Sequence, residues 1–230
     1  MPESCQMDGN TNRSRCAIFD FDGTLFDSMF IWNTIASDFI RSLGIEPKPG
    51  LDEEVSALSM EQAAVFLQKD YDLNLRADEI IERVNALLER FYVEKVQPKS
   101  GVRAFVSALK EAGYRLCIAS ASPRSHIQAA LDRTHMASYF DAVFTCDEIG
   151  AGKDEPLIFR EAMAHFGADR SSCVVFEDAF HAASTAKADG FRVIGVFDPS
   201  EKRQKDLRAL CDGFIEDFGS ADCVRNSLVQ

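Results

Sequence analysis

The chain is short of positive charge. Against 37 acidic residues it carries 25 Lys and Arg, a formal net charge of −12, so it lacks the clustered basic face that nucleic acid or an anionic bilayer requires. It has no apolar run long enough to span a bilayer, and Met1 to Arg15 is polar, with no hydrophobic core of signal-peptide length. Its seven cysteines (Cys5, Cys16, Cys117, Cys146, Cys173, Cys211 and Cys223) are odd in number, scattered, and include no Cys-x-x-Cys pair. Buried free thiols are expected, not a disulfide framework. No internal repeat or low-complexity tract occurs. These absences describe a soluble protein of a reducing cytoplasm, with neither nucleic acid nor membrane as partner and with a disordered leader over residues 1–15.

What is present is ordinary globular composition, 46% hydrophobic and 27% charged over 230 residues, room for one sizeable core and a smaller appendage. The chain is organised around residues 16–28. A short apolar run, Cys16-Ala17-Ile18-Phe19, ends in two acids, Asp20 and Asp22, followed by Gly23 and Thr24. The run is too short for a helix and reads as a buried strand opening into a loop. Two acids therefore stand at the carboxyl end of a strand, where open α/β sheets bind ligands. Packed side by side they repel and push one pKa up. A magnesium ion relieves this, being a hard cation that takes oxygen ligands and shares them with a substrate phosphate. An Asp-x-Asp before Gly is, taken alone, more often a turn or a cap.

From about Met29 to Gln97 the pattern is helical. Phe30, Ile31, Ile35, Phe39, Ile40 and Leu43 mark one apolar face that closes at Gly44, Ser59 caps a helix over 60–68, and Ile80, Ile81, Val84, Leu87, Leu88 and Phe91 mark a helix from Asp78 to about Lys95. Beyond Pro98, strands and helices alternate: strands over 115–119, 142–146, 173–176 and 192–196, separated by helices over 102–112, after Pro123, over 156–166 and over 179–189. Such alternation predicts a Rossmann-like parallel sheet with helices on both faces, an α/β core over 16–28 and 98–230, with a small all-helical cap over 29–97.

Three further strand ends carry polar groups. Leu116-Cys117-Ile118-Ala119 runs into Ser120-Ala121-Ser122-Pro123, offering a hydroxyl and backbone amides suited to phosphoryl oxygens. Ser122 reads as a helix N-cap, which leaves Ser120 as the ligand candidate. Lys153 lies in a loop after the third strand, and Cys173-Val174-Val175-Phe176 leads into Glu177-Asp178.

The run Asp20-Phe21-Asp22-Gly23-Thr24-Leu25 resembles the first motif of the haloacid dehalogenase-like superfamily, and Ser120, Lys153 and Glu177-Asp178 resemble its second, third and fourth. The resemblance covers Cys16 to about Phe197, and the cap placement is similar to the branch containing β-phosphoglucomutase and many sugar-phosphate phosphatases. It departs from the family in having Asp154 where Pro often follows the motif Lys, and Ala179-Phe180-His181-Ala182 where relatives tend to have Ser and Gly.

The resemblance implies catalysis by Asp20 as nucleophile and Asp22 as general acid and base, phosphate binding by Ser120, Ala121 and Lys153, and magnesium held by Asp20, Asp22 and Asp178, with Glu177 nearby. It implies a magnesium-dependent phosphatase that hydrolyses a small phosphorylated metabolite, a sugar phosphate being the expected class, through an aspartyl-phosphate. A β-phosphoglucomutase-like phosphomutase is the alternative. Where that mutase has a His in the first cap helix and a basic residue in a cap loop, this chain has Trp32 and Met60, and a mutase must grip a second phosphate. A non-catalytic phospho-Asp signalling module is a third reading. Substrate choice is expected to lie around Trp32, Ser56 to Met60 and Tyr92, and His181 is expected on a helix surface.

Overall fold

The computed structural model describes residues 14–56 and 58–229. The leader expected over 1–15 lies almost wholly outside the described residues, and its last residue, Arg15, already opens the first strand. In chain order the strands are β1 (Arg15–Phe19), β2 (Phe26–Asp27), β3 (Gln97–Pro98), β4 (Tyr114–Ser120), β5 (Ala142–Thr145), β6 (Cys173–Glu177), β7 (Arg192–Val196) and β8 (Gly213–Ile215). Six of them form one sheet in the order β5-β4-β1-β6-β7-β8, every pair parallel, while β2 and β3 form a separate antiparallel pair.

Because side chains alternate across a strand, each strand feeds two cores. Ala17 and Phe19 of β1, with Leu116, Ile118, Val174 and Phe176, join one hydrophobic cluster; Cys16 and Ile18, with Cys117, Ala119, Cys173 and Val175, join the other. Strands buried on both faces read as continuous apolar runs, which is why β1, β4 and β6 were legible as short hydrophobic words.

Four helices fall between β2 and β3: α1 (Ile35–Ser42), α2 (Leu51–Val55), α3 (Met60–Asp70) and α4 (Ala77–Glu94). After β3 come α5 (Val102–Glu111), α6 (Arg124–Arg133), α7 (Cys146–Ile149), α8 (Leu157–His165), α9 (Phe180–Ala188), α10 (Gln204–Leu210) and α11 (Asp222–Val229). Helices α5, α6 and α11 pack their buried residues into the Phe19 cluster, and α8, α9 and α10 into the Ile18 cluster, so helices cover both sheet faces.

The inserted helices share the Phe19 cluster through residues such as Phe39, Leu67, Leu88 and Phe91. Helix α4 buries Ile80, Val84, Leu88 and Phe91, a stripe at helical spacing. Ser59 caps α3 in a capping box with Gln62. The expected single helix after Ser28 is instead a 3-10 turn over Met29–Asn33 followed by α1, because Thr34, with φ −138°, leaves helical geometry and returns its N–H to the Ile31 carbonyl at 3.0 Å. Helices α2 and α7 are a single turn or so each, too short to show a period, and β8 and α11 follow the last segment whose pattern could be read.

Candidate active site

Strand β1 ends where its apolar residues end. Asp20 N–H still donates to the Phe176 carbonyl of β6 at 2.9 Å, so Asp20 is anchored to the sheet edge although it lies beyond the strand. The next residues form a tight loop: Leu25 and Phe26 donate to the Phe21 carbonyl at 3.0 and 2.9 Å, and Gly23 donates to the Phe26 carbonyl at 2.9 Å. Phe21 is buried and stacks on Phe26 with ring centroids 4.4 Å apart, which pins the loop between the two acids. Gly23 has φ +76°, and a Cβ there would come within 2.3 Å of Asp178 Oδ2. A side chain at Gly23 would collide with an acid from another strand end, so Gly is required by space as well as by backbone.

Asp20, Glu177 and Asp178 offer carboxylate oxygens that all lie within 4.8 Å of one another, and all three residues are buried. Lys153 is buried between two of them, its ammonium donating to Asp20 Oδ1 and, at 2.9 Å, to Glu177 Oε2. Thr24 Oγ1 donates to Asp178 Oδ1 at 2.8 Å, and Ala179 N–H donates to Glu177 Oε1 at 3.3 Å. Burial pushes the Asp20 carboxyl up to about 8; Lys153 pulls it down, while the Glu177 and Asp22 charges add to the rise. Asp178 is raised by the same causes, burial first and then the Asp20 and Glu177 charges, with the Thr24 hydroxyl opposing them. Burial works against the Lys153 ammonium, yet the Asp20 and Glu177 charges override it and push its pKa up. An oxygen-only set of three close carboxyls fits a hard divalent cation.

Asp22, expected as a magnesium ligand with Asp20 and Asp178, is not among the three close carboxylates, where Glu177 stands instead. Its Oδ1 accepts from Ser28 Oγ at 2.6 Å and from the Tyr92 hydroxyl at 2.7 Å, and its Oδ2 accepts from Ser122 Oγ. Three hydroxyls from the loop after β2, from α4 and from the loop after β4 thus converge on one carboxylate. Ser122 is therefore not the expected N-cap: Pro123 occupies the cap position of α6, no side chain caps it, and the Ser122 hydroxyl is spent on Asp22. Burial, and then the Asp22 charge, push the Tyr92 phenol up, so it stays a donor at working pH.

Ser120, the last residue of β4, is buried, and its Oγ accepts from Ser122 N–H at 3.1 Å, turning the Ser120-Ala121-Ser122 loop back over the strand end. Ala121 is exposed in that loop, and His181 is exposed on α9. Thr24 and Ser28 were not assigned to the site in the sequence, although they lie in or beside the first motif and could have been suspected there; Tyr92 was expected only among the residues that choose the substrate, and nothing signalled its bond to Asp22, 70 positions away.

A second feature lies among the inserted helices. A cavity of about 330 Å³ is lined from the inserted helices by Trp32, Ser56, Leu58, Met60 and others, and from the loop after β7 by Lys202. Two of the three stretches expected to choose the substrate, Trp32 and Ser56 to Met60, meet here, while Tyr92 lies at Asp22; Lys202 was not anticipated.

A protein-family model described as haloacid dehalogenase-like hydrolase matches residues 15–190. The chain belongs to that family. Among relatives of these haloacid dehalogenase-like hydrolases, hexitol phosphatase B of Escherichia coli is 30% identical over 196 residues, 84% of this chain and 86% of that protein. The bifunctional riboflavin kinase/FMN phosphatase of Arabidopsis thaliana is 27% identical over 218 residues, 94% of this chain, which spans only 54% of that longer protein. Among solved structures, a Thermotoga maritima protein assigned as a β-phosphoglucomutase superposes with a TM-score of 0.82 at 21% identity, covering 92% of this chain and 99% of that one. CbbY from Rhodobacter sphaeroides, solved with phosphate, superposes with a TM-score of 0.70 at 18% identity over 90% of this chain and 96% of that one. At such identities these likenesses concern the fold.

Proposed function

We propose that this hydrolase is a magnesium-dependent phosphatase of a small phosphomonoester, working through an aspartyl-phosphate on Asp20. The observation that carries the reading is the convergence of Asp20, Lys153, Glu177 and Asp178 on one buried point at the sheet edge. Asp20 and Asp178, with Glu177 beside them, would hold the magnesium ion; bound there, it supplies positive charge to the phosphoryl oxygens and to the acids. The names of relatives support the class, since hexitol phosphatase B and a phosphorylated carbohydrates phosphatase of Thermotoga maritima act on small phosphate esters.

In the reading proposed here, an Asp20 carboxylate oxygen attacks phosphorus in line, and the bond from phosphorus to the ester oxygen breaks. Lys153, charged and buried, neutralises phosphoryl oxygens, while Ser120 and the Ala121 amide bind them. Asp22 gives a proton to the departing alkoxide, then takes one from the water that hydrolyses the aspartyl-phosphate, releasing phosphate and restoring Asp20. Ser28, Tyr92 and Ser122 hold Asp22 in place for both transfers. Because Tyr92 comes from α4, the inserted helices must be closed for that triad of hydroxyls to be complete.

One observation favours hydrolysis over phosphoryl return to a sugar. Lys202 is the single charged residue among the described residues lining the cavity beneath the inserted helices, whereas a mutase must hold a second phosphate there. The six described cysteines are all free, and no described helix is long and apolar enough to cross a membrane. Phosphate release from a panel of phosphomonoesters, with and without magnesium, tests the proposal. Wild type should turn over only with the metal and Asp20→Asn not at all. Conversion of glucose 1-phosphate to the 6-phosphate without phosphate release would favour the mutase, and a stable phospho-Asp without turnover would favour the signalling module.

A further inference from the structure

The cavity that Trp32 and Lys202 border is a poor match to a polyol. Its lining is dominated by Ile, Leu, Val, Ala and Met side chains of α1 to α4 and the loop before α3, and its polar side chains are those of Trp32, Asn33, Ser56 and Lys202. A sugar or hexitol leaving group carries several hydroxyls, each of which loses water on entry and needs a partner inside. Too few partners are here. The volume, about 330 Å³, lies at the lower end of small-ligand sites, which are mostly apolar with a few placed polar groups.

Two stretches of chain lead from the cavity lining to the reacting edge. Trp32 and Asn33 end the 3-10 turn that begins directly after Ser28, whose hydroxyl holds Asp22 at 2.6 Å, and in the same turn Met29 Cγ would lie 3.0 Å from a Cβ on Gly23. Lys202 follows Glu201, whose Oε2 accepts from Phe180 N–H at 2.8 Å, two residues beyond Asp178. Trp32 is 42% exposed, the indole presented by the turn without being packed away. A large, half-open aromatic face beside an apolar hollow suits stacking by a flat ring.

We infer that the substrate is a monophosphate ester of a ring-bearing alcohol, whose flat aromatic system sits in this cavity against Trp32 while Lys202 meets a polar edge of the ring. The inference rests on the phosphatase reading and narrows it, away from the polyol phosphates suggested by some relatives' names.

Two measurements separate the fate of the inference from that of the phosphatase reading. Trp32 is the chain's sole tryptophan, so its fluorescence, corrected for ligand absorbance, reports occupancy without catalysis. 4-Nitrobenzyl alcohol and 3-pyridinemethanol, phosphate-free alcohols with a ring and a single hydroxyl, should quench it saturably, and sorbitol should not. In steady-state assays with magnesium, 4-nitrobenzyl phosphate and 3-pyridylmethyl phosphate should show KM values at least tenfold below those of sorbitol 6-phosphate and glucose 6-phosphate. All four are esters of primary alcohols, so the leaving oxygens are comparable. Trp32→Ala should raise KM for the aromatic esters about tenfold, the scale of one lost stacking contact, with kcat changed far less. Leu58→Gln, at the exposed rim, should move KM the same way and guards against a folding defect in the first variant. A preference for polyol phosphates, or quenching by neither aromatic alcohol, overturns the inference while leaving a phosphatase. Saturable quenching with no turnover of any ester keeps the cavity's ligand class and removes the phosphatase reading.

Discussion

Replacing Gly23 by Ala tests the acid cluster at its tightest contact. The added Cβ would lie 2.3 Å from Asp178 Oδ2 and 2.7 Å from its Cγ, where ordinary contact begins near 3.4 Å. The Asp178 carboxyl must therefore move by about 1 Å, or the loop must open. Asp178 is buried and accepts from Thr24 at 2.8 Å through Oδ1, so moving its carboxyl costs that bond. The left-handed φ of +76° adds a cost of about 1–2 kcal/mol for any residue with a Cβ. With about 1–2 kcal/mol for the lost hydrogen bond, unfolding free energy should fall by roughly 3 kcal/mol, a drop in Tm of roughly 6–12 °C for a chain of this size. A displacement of about 1 Å at a reacting centre costs roughly a hundredfold in rate, so kcat/KM should fall by about that factor and magnesium affinity with it. Gly44→Ala is the control: its φ is +77°, but a Cβ there meets nothing within 4 Å. It should lose only the backbone part of the stability and keep its magnesium affinity by calorimetry. If Gly23→Ala weakens magnesium binding and activity no more than Gly44→Ala does, the crowding of Asp178 by this loop is not a constraint on the site.

Lys153→Met leaves Asp20 and Glu177 buried without their cation, so urea unfolding without metal should show a loss of about 3–5 kcal/mol; an unchanged midpoint would contradict the pairing. Tyr92→Phe keeps the ring stacked on His126, 4.7 Å away, but removes one donor from Asp22, and kcat should fall roughly tenfold with KM little changed; a change confined to KM would place Tyr92 with the substrate instead. The pH dependence of metal binding follows from Asp20, raised to about 8, and Asp178, raised in the same direction. Both bind protons more tightly folded than unfolded, so their contribution to metal-free stability is full below about pH 4 and is lost as pH rises toward about 8. Magnesium takes the deprotonated acids, so the rise in Tm at fixed magnesium should grow from pH 5 to pH 8 and binding should release protons; a flat profile in Asp178→Asn and a rising one in wild type would locate the effect, and a flat profile in both would refute it.

The strand and helix order was legible because burial writes itself into local periodicity. Cys16 to Phe19 is apolar at every position since both sheet faces are covered, and α4 repeats its apolar residues at helical spacing since only one side faces a core. The acids at the ends of β1 and β6 stood out for the same reason, as charges interrupting runs that are otherwise buried. Thr34, breaking the expected helix after Ser28, and α2, a turn too brief for a period, were not legible.

By itself the sequence determined the alternating core, the inserted helices and the acids, hydroxyl and amine placed at strand ends, because each depends on neighbours a few positions away. Only the tertiary structure decided what those groups touch. Lys153 meets Asp20 across 133 positions, and Ser122 meets Asp22 across 100, where a helix cap was expected; Lys202 joins Trp32 around one apolar hollow. Contacts between distant residues are set by how the elements pack, and a hydroxyl that could cap a helix or hold a carboxylate looks the same in the sequence until the fold brings one partner closer.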